Sequence, residues 1–295
     1  MAAGRGGDAA WSRMNCHDTT LVEQEVMGHI IRLSQNPASE HLGTTVWDAS
    51  IVLAKYLEKN MRKGEFSRPR LKGKRVLELG AGMGLGGMAF ALLDANVVLT
   101  DTVDVVPLLK RNCEANLGCG TVQVRELDWY QPDQVLPLNP PFDYVIAADC
   151  IYHEHIVEQF HRTVMDVTND KSIVLVVNEL RSHSVHSAFM SAFEPTHVIK
   201  IIPHSKMDDF FQHPNIQIFY MKKLKPKKAK YASSEAVSTA SVHPGSTPLA
   251  EAADSLSEHD DDHGGLSPAP KQMADGQGGL EAVVRQTEGL SIHTP

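Results

Sequence analysis

The sequence has few cysteines, no long apolar run and no excess of basic residues. Its four cysteines, Cys16, Cys113, Cys119 and Cys150, form no CxxC pair, and no signal peptide or glycosylation sequon accompanies them. This combination favours a reducing intracellular compartment over a secreted, disulfide-stapled domain. No apolar run approaches the roughly 20 residues of a membrane-spanning helix, and the formal net charge of −8 argues against general nucleic-acid binding. We therefore expect a cytoplasmic protein that does not enter a membrane.

Large apolar residues are scarce at both ends of the chain. From residue 225 onward Ser, Ala, Gly, Pro and Asp dominate, and the first ten residues, MAAGRGGDAA, contain little apolar surface. Segments of this kind cannot bury enough apolar area to offset the entropy of ordering them. We predict a disordered N-terminus over residues 1–16, one folded domain over residues 17–224 and a disordered tail over residues 225–295. The domain is long enough to bury a full core.

Two charged segments near the tail allow more than one interpretation. The basic cluster Lys222–Lys230, KKLKPKKAK, is either a docking or nuclear-import signal, which would add a nuclear location, or a solvated boundary of the domain. We favour the boundary. The segment HDDDH, residues 259–263, has metal-binding side chains, but in a disordered tail such a run is usually a solvated acidic stretch. We predict no metal site.

Between Lys74 and Leu180, strand-like runs alternate with helical patterns. Strands separated by helices of this length imply right-handed crossovers and a parallel sheet. Two later runs, HVIKIIP and IQIFYMKK, have no helix between them and should pair antiparallel. Upstream, the sequence predicts a β-hairpin turning at Gly28 and a helix with Asp48 as its N-cap. The predicted fold class is α/β: a Rossmann-like seven-stranded sheet, mostly parallel with an antiparallel C-terminal hairpin, helices on both faces, and an N-terminal β-hairpin and helix.

A glycine-rich loop follows the first strand of this sheet, in RVLELGAGMGLGGM, residues 75–88. Gly82, Gly84 and Gly87 satisfy the dinucleotide fingerprint, and Asp101 lies nineteen residues after Gly82, where a ribose-binding acid would stand. The fingerprint alone is weak. Glu78, just before the loop, would oppose the pyrophosphate of a dinucleotide, whereas S-adenosylmethionine (SAM) carries an ammonium and a sulfonium that an acid attracts. This argument favours SAM over NAD.

Acidic residues stand at the ends of four successive strands: Glu78, Asp101, Asp128 and Asp149. Ligands of open α/β sheets bind outside the carboxyl ends of the strands, where the strand order reverses. Asp101 is placed to accept both ribose hydroxyls and Asp128 to accept from the adenine amino group. Trp129 either borders the adenine ring or packs in the core. A SAM site explains these acids better than NAD or a solvated surface does.

Four stretches, TVWDASIVLAKYLE, VLELGAGMGLGG, RELDW and FDYVIAADCIYHE, make residues 22–222 resemble the seven-strand SAM-dependent methyltransferases. More narrowly, they resemble the methyltransferase-like family of non-histone protein-lysine methyltransferases. The resemblance implies transfer of methyl groups from SAM to the side-chain amine of lysine in a chaperone or translation factor, and we expect a monomer. By matching position it assigns cofactor contacts to Trp47, Glu78, Gly80, Gly82, Asp101, Asp128, Trp129 and Ala148, and the methyl-transfer face to Asp149 and Tyr152. Glu179 and Arg181 match a charged segment near the substrate mouth.

Methyl transfer to lysine requires a neutral, aligned amine in a site without bulk water. Asp149 would accept an N–H hydrogen bond and aim the lone pair, and Tyr152 would form a wall that steadies a methylated ammonium. The alternative interpretation is structural: Asp149 would only cap the next helix, and Tyr152 would pack in the core. Cys150, between them, is interpreted as a small buried filler.

Two positions depart from the family pattern. Tyr130 stands where the family has glycine, and Asn178 stands where an aromatic residue is common. These departures predict a different adenine-side loop and a different substrate mouth.

Three alternatives stay open. The same fold could methylate a small molecule or RNA, although RNA would call for a basic face that the sequence lacks outside Lys222–Lys230. The glycine loop could serve an NAD-dependent oxidoreductase. The chain could also be a non-catalytic SAM-binding module, against which the presence of both Asp149 and Tyr152 argues.

Overall fold

The computed structural model describes residues 14–118 and 120–225 of the 295-residue chain. The predicted disordered tail beyond residue 225, the HDDDH segment, most of the basic cluster and residues 1–13 of the predicted disordered N-terminus lie outside the described residues. The domain boundaries given above therefore stay predictions.

The described residues form nine strands and six α-helices, and none of these helices is long and apolar enough to cross a bilayer. The strands are β1 (Leu21–Val26), β2 (His29–Ser34), β3 (Arg75–Leu79), β4 (Asn96–Asp101), β5 (Val122–Glu126), β6 (Tyr144–Ala148), β7 (Ile173–Glu179), β8 (His197–Ile202) and β9 (Ile216–Lys223). The helices are α1 (Asp48–Asn60), α2 (Arg68–Leu71), α3 (Leu85–Ala91), α4 (Val106–Leu117), α5 (Glu154–Val167) and α6 (His183–Phe193). Short 3-10 segments cover Leu42–Thr44, Pro132–Gln134, Leu136–Leu138 and His204–Lys206.

Seven of the described strands form one sheet in the order β5-β4-β3-β6-β7-β9-β8. Neighbouring strands from β5 to β7 are parallel, and β9 runs antiparallel to both β7 and β8. The strand order reverses between β3 and β6, where crevices for ligands form in open α/β sheets. The predicted fold class, including the antiparallel pairing of the last two strands, is confirmed.

The two faces of the sheet bury separate apolar clusters because successive side chains of a strand point to opposite faces. In β3, Val76 joins the cluster that includes α1 and α3, whereas Leu77 and Leu79 join the cluster that includes α5 and α6. The central strands β6 and β7 are buried along almost their whole length, as expected for parallel strands covered on both faces. This packing holds the carboxyl ends of β3 and β6 rigidly side by side.

The N-terminal hairpin pairs β1 with β2 and turns at Met27 and Gly28, both with positive φ (54° and 79°). Two positive φ values in a two-residue loop match the twist of an antiparallel pair. The predicted turn at Gly28 is confirmed. The amides of Asn112 and Asn116 in α4 hydrogen-bond the backbone of β2 at Ser34 and Arg32, so the hairpin is fixed to the domain.

Helix α1 begins at Asp48, but Asp48 is not its N-cap. The N-cap is Trp47, which makes no side-chain capping bond. The Asp48 carboxylate instead accepts the backbone N–H groups of Met14 and Asn15, at 3.2 and 3.1 Å. The prediction was wrong here because a long-range contact to the N-terminal segment competes for the carboxylate that would otherwise cap the helix.

The first two lysines of the basic cluster belong to β9 and are described. The Lys223 ammonium donates to the backbone carbonyls of Met165 and Thr168, at 3.0 and 2.8 Å. These carbonyls belong to the last turn and the C-cap of α5, where a cation is favoured by the helix dipole. Lys223 is therefore a structural residue and not part of a solvated boundary.

His197, at the start of β8, is 3% exposed. Its Nδ1 lies 2.9 Å from the Thr196 hydroxyl, and its Nε2 has no hydrogen-bond partner within the described residues. Burial lowers the pKa of His197 to about 4, with smaller contributions from His161 and Lys223. The imidazole is therefore held neutral in a place where an imidazolium would lack a counter-charge.

The buried histidine predicts acid lability. Between pH 6.5 and pH 4 the unfolded chain takes up a proton at position 197 that the folded chain refuses, so the free energy of unfolding falls by about 3 kcal/mol on acidification. Denaturant titrations at several pH values should show a flatter curve for His197→Gln. As a control, His29→Gln changes an exposed histidine of β2 and should reproduce the wild-type pH dependence. Parallel curves for wild type and His197→Gln would contradict this assignment.

Candidate functional site

A cavity of about 400 Å³ lies at the carboxyl ends of β3, β4 and β6, on both sides of the point where the strand order reverses. Its volume lies within the range of small-molecule sites. Nine of the ten predicted site residues line it: Trp47, Gly80, Gly82, Asp101, Asp128, Trp129, Ala148, Asp149 and Tyr152. Glu78 does not. The structure thus gathers residues that are up to 105 positions apart in the sequence, as from Trp47 to Tyr152, and their individual roles stay predictions.

The glycine loop forms the floor of this cavity. Gly80 and Gly82 have φ values of 60° and 53°, which side chains rarely tolerate. A Cβ at Gly80 would lie 2.7 Å from the Cys150 sulfur, and one at Gly82 would lie 3.1 Å from the Gly43 carbonyl oxygen. Glycine is therefore required both by the backbone conformation and by the close approach of two other segments.

Glu78 lies behind the loop and not in the cavity. Its carboxylate accepts the backbone N–H of Gly87, at 2.7 Å, in the first turn of α3, and the residue is 1% exposed. Because side chains alternate along a strand, Glu78 shares the face of Val76 and points under α3, and its contact with the cofactor stays a prediction.

Burial raises the pKa of Glu78 to about 8, partly opposed by the Gly87 N–H. The side chain is therefore mainly protonated at neutral pH. The argument that a negative charge at Glu78 would repel the pyrophosphate of a dinucleotide therefore no longer holds. Discrimination between SAM and a dinucleotide must come from the acids that face the cavity.

Asp101 joins the loop to the end of β4. Its Oδ2 accepts the Gly82 N–H and its Oδ1 accepts the Thr102 N–H, both at 2.8 Å. Burial raises the pKa of this carboxyl, and the two backbone N–H groups oppose the shift. Oδ1 also accepts the Thr102 hydroxyl at 3.4 Å, whereas Oδ2 retains a lone pair, so the carboxylate can both close the loop and accept a ligand hydroxyl.

The next strand end supplies Asp128 and Trp129. One Asp128 oxygen accepts the Tyr130 N–H at 2.9 Å, which turns the chain back over the cavity. The Trp129 ring packs edge-on against Phe160, with 5.0 Å between centroids, and also lines the cavity. The two interpretations of Trp129 are therefore compatible: one part of the ring is core and another is wall.

Tyr130, where the family has glycine, is 53% exposed and its hydroxyl donates to the His155 carbonyl. Asn178 replaces an aromatic residue and holds the segment after β6: its side chain accepts the Ile151 N–H and donates to the Ile151 carbonyl.

Cys150 is 5% exposed and its thiol donates to the Leu79 carbonyl at 3.1 Å. The thiol is buried against β3, as predicted for a small filler.

Asp149 follows β6 in a left-handed conformation (φ 61°), unusual for a residue other than glycine. Its N–H donates to the Val177 carbonyl at 2.7 Å, and this bond to β7 holds the turn that aims the side chain. Tyr152, 43% exposed, also lines the cavity. Asp149 does not cap α5, whose N-cap is His153.

The partner of Asp149 is Arg181, a few residues beyond β7. The guanidinium donates to both carboxylate oxygens, at 2.9 and 2.6 Å, and it also contacts Glu179 Oε2 at 2.5 Å and lies 5.4 Å from the Trp47 ring centre. Sequence reasoning placed Arg181 near the substrate mouth but missed this ion pair. The signal was present, since β6 and β7 are adjacent parallel strands and an acid and a base stand just past their carboxyl ends.

Comparison with known proteins gives one family model, similar sequences and similar solved structures. A family model described as lysine methyltransferase matches residues 27–196. Protein N-lysine methyltransferase METTL21A of Danio rerio is 35% identical over 162 residues, which cover 54% of this chain and 71% of that protein. Protein-lysine N-methyltransferase EFM6 of Saccharomyces cerevisiae is 28% identical over 201 residues, covering 62% of this chain and 82% of that protein. Among solved structures, the T. thermophilus 16S rRNA N2 G1207 methyltransferase RsmC, in complex with AdoMet and guanosine, has a TM-score of 0.49 at 17% identity, covering 69% of this chain and 50% of that chain.

Proposed function

This chain belongs to the lysine methyltransferase family, and from that premise we propose that it transfers a methyl group from SAM to the side-chain amine of a lysine in another protein. The observation that carries this proposal is the buried carboxylate of Asp149, which faces the same cavity as the glycine loop and Tyr152. An acceptor for amine N–H groups is thus built into the wall of a cofactor-sized cavity.

The residues of the cavity fit a cationic ligand. Their acidic and basic side chains, histidine aside, are Asp101, Asp128, Asp149 and Arg181, whose formal charges sum to −2, three negative and one positive. SAM carries an ammonium, a sulfonium and a carboxylate, for a net charge of +1, whereas a dinucleotide brings a doubly charged pyrophosphate. This balance supports SAM over NAD without relying on Glu78. It also supports a lysine acceptor over RNA, because Arg181 is the sole lysine or arginine among the described lining residues.

When bound, SAM supplies an electrophilic methyl group on a positively charged sulfur. In the proposed mechanism Asp101 and Asp128 hold the polar edge of the nucleoside, and Trp129 and the glycine loop give it a surface without bulk water. Asp149 accepts an N–H of the acceptor and orients its lone pair towards the methyl group. A free lysine has a pKa near ~10.4, and burial beside a sulfonium cation would lower that pKa, so loss of the ammonium proton before transfer would be favoured there. Tyr152 presents an aromatic wall that also suits a methylated ammonium.

The proposal is tested by SAM binding and by labelled methyl transfer. Calorimetry with the full chain measures SAM affinity, with NADH as the competitor ligand. Purified protein with methyl-labelled SAM is then added to a cell extract. The expected result is a labelled band that survives nuclease, disappears with protease and yields methyllysine on hydrolysis. Label confined to RNA or to small molecules would overturn the lysine acceptor, and NADH binding without SAM binding would overturn the cofactor.

The remaining expectations belong to the same proposal. We propose a monomeric enzyme of a reducing compartment, cytoplasmic and in part nuclear, that acts on a non-histone substrate of the chaperone or translation-factor type. The cysteines in the described part of the chain, Cys16, Cys113 and Cys150, are unpaired, which supports a reducing compartment. Two of the similar proteins named above, METTL21A and EFM6, are called protein-lysine methyltransferases, which supports a protein acceptor.

A further inference from the structure

The pairing of Asp149 conflicts with its role as an acceptor for the substrate. The Asp149 side chain is 2% exposed, and both of its oxygens are held by the Arg181 guanidinium. One oxygen also accepts the Glu179 N–H at 3.2 Å. If the proposed function is right, an incoming amine must compete with Arg181 for this carboxylate.

The local charges leave a place for one more cation. Asp149 and Glu179 contribute two carboxylates within 2.6 Å of one guanidinium, so the trio has a formal charge of −1. The Asp149 carboxylate, 2% exposed, is stable in its charged form only when it is paired. The missing positive charge has the sign of a protonated lysine.

The surroundings of Arg181 allow its side chain to move away from Asp149. Its side chain is 36% exposed, far more than that of Asp149. The Glu179 carboxylate, 20% exposed, already contacts one of its terminal nitrogens, and the Trp47 ring lies beside the guanidinium at 5.4 Å. A small rotation can therefore release Asp149 while Arg181 keeps one carboxylate and an aromatic neighbour.

Arg181 also stands between two openings. With Tyr152 it lines the large cavity, and the same two residues line a second, smaller pocket of about 20 Å³ against Phe189 and Phe219. That volume holds about one water molecule, so the second pocket admits a long side chain only if its wall moves. Because Arg181 and Tyr152 line both, a lysine side chain that passed between the second pocket and the large cavity would meet Arg181.

We propose that Arg181 is a displaceable counter-ion: the ammonium of the acceptor lysine replaces it on Asp149, and Arg181 stays paired with Glu179. The exchange breaks no covalent bond. The lysine arrives protonated, Arg181 keeps its proton, and the group of two carboxylates and two cations becomes neutral. In this role Arg181 is a positioning residue that selects for a cationic acceptor and keeps Asp149 paired in its absence.

The experiment measures binding of an isolated lysine side chain to the full chain. The protein is saturated with S-adenosylhomocysteine, which cannot donate a methyl group, and titrated with Nα-acetyl-lysine methylamide. Nα-acetyl-norleucine methylamide, which has a similar chain without the amine, is the control ligand. The variants are Arg181→Lys, which keeps the charge but loses the bidentate fork, and Arg181→Met, which removes the charge.

Displacement predicts tighter binding of the lysine ligand in both variants. We expect a Kd lower by about fivefold for Arg181→Lys and by about tenfold or more for Arg181→Met, with each variant kept saturated with S-adenosylhomocysteine and norleucine binding unchanged; tenfold corresponds to about 1.4 kcal/mol. Arg181→Lys is decisive, because a fixed arginine that acted only through its charge would leave that Kd unchanged. It also tests the proposal if Arg181→Met does not fold.

An unchanged or weaker lysine Kd in Arg181→Lys would overturn the exchange while leaving the proposed function intact. Failure of the wild type to bind S-adenosylhomocysteine would instead count against the proposed function. The two failures are therefore distinguishable.

Discussion

Asp149→Asn is expected to lower the rate of methyl transfer by a factor of about 100 or more while SAM binding is retained. An asparagine has nearly the same shape, but it is neutral and presents an amide NH₂ where one carboxylate oxygen stood. It cannot balance a cation at this buried position, and it offers one acceptor oxygen in place of two. Loss of one preorganised group that positions or stabilises reacting atoms typically costs two or more orders of magnitude in rate.

Single-turnover transfer to the labelled substrate band, with SAM affinity measured on the same preparations, checks this prediction. The matched control is Asp170→Asn, which makes the same change at an exposed position and should leave the rate at the wild-type level. A loss of rate explained entirely by weaker SAM binding would place Asp149 at the cofactor and not at the acceptor. An unaltered rate would exclude Asp149 from the reaction.

Gly87→Ala is expected to destabilise the domain by about 1–5 kcal/mol, although alanine is the better helix former. In a helix interior the exchange alone would stabilise by about 1 kcal/mol. At Gly87 a Cβ would overlap Leu99 Cδ2 and lie 2.7 Å from Glu78 Oε2. Leu99 is completely buried in β4 and cannot move without disturbing the core, which costs about 1–3 kcal/mol. Displacing Glu78 from the Gly87 N–H leaves a buried polar pair unsatisfied, which costs about 1–3 kcal/mol more.

Denaturant unfolding of both proteins measures this difference, and SAM affinity should fall with it because α3 carries the glycine loop. Gly28→Ala is the comparison: a Cβ there has no neighbour within 4 Å, although φ is +79°, so only backbone strain of about 1–2 kcal/mol is expected. A Gly87→Ala protein as stable as wild type, or more stable, would show that helix propensity outweighs the close approach of α3 to β4.

Much of the fold follows from local pattern. The alternation of strands and helices was sufficient for the parallel sheet, and the absence of a helix between the last two strands was sufficient for their antiparallel pairing. Because parallel strands end at one edge, the acids after β4, β5 and β6 could be predicted to meet there. The side chains at these positions do line one cavity.

The sequence pattern did not predict contacts in which a side chain pairs with a group distant in the sequence. Glu78 alternates with Leu77 and Leu79, so its face of the strand could be inferred, but its burial under α3 depends on how closely Gly87 approaches. The sequence predicted Asp48 as an N-cap, but its carboxylate accepts the backbone N–H of Asn15, which is distant in the sequence. The placement of Arg181 near the substrate mouth stays a prediction. Its ion pair with Asp149 involves a residue other than glycine in a left-handed conformation, which no local rule favours.

The position of β9 bears on how the chain is synthesised. β9 is the last described strand in the sequence, and it lies between β7 and β8. While the nascent chain is still emerging from the ribosome, β7 therefore presents an unpaired edge, β8 has no neighbour, and the end of α5 lacks the ammonium of Lys223. All three are completed together when residues 216–223 appear. A protein truncated before residue 216 would lose two strands of the sheet and not one, and it would expose the edge of β7 that faces away from β6 to chaperones and to aggregation.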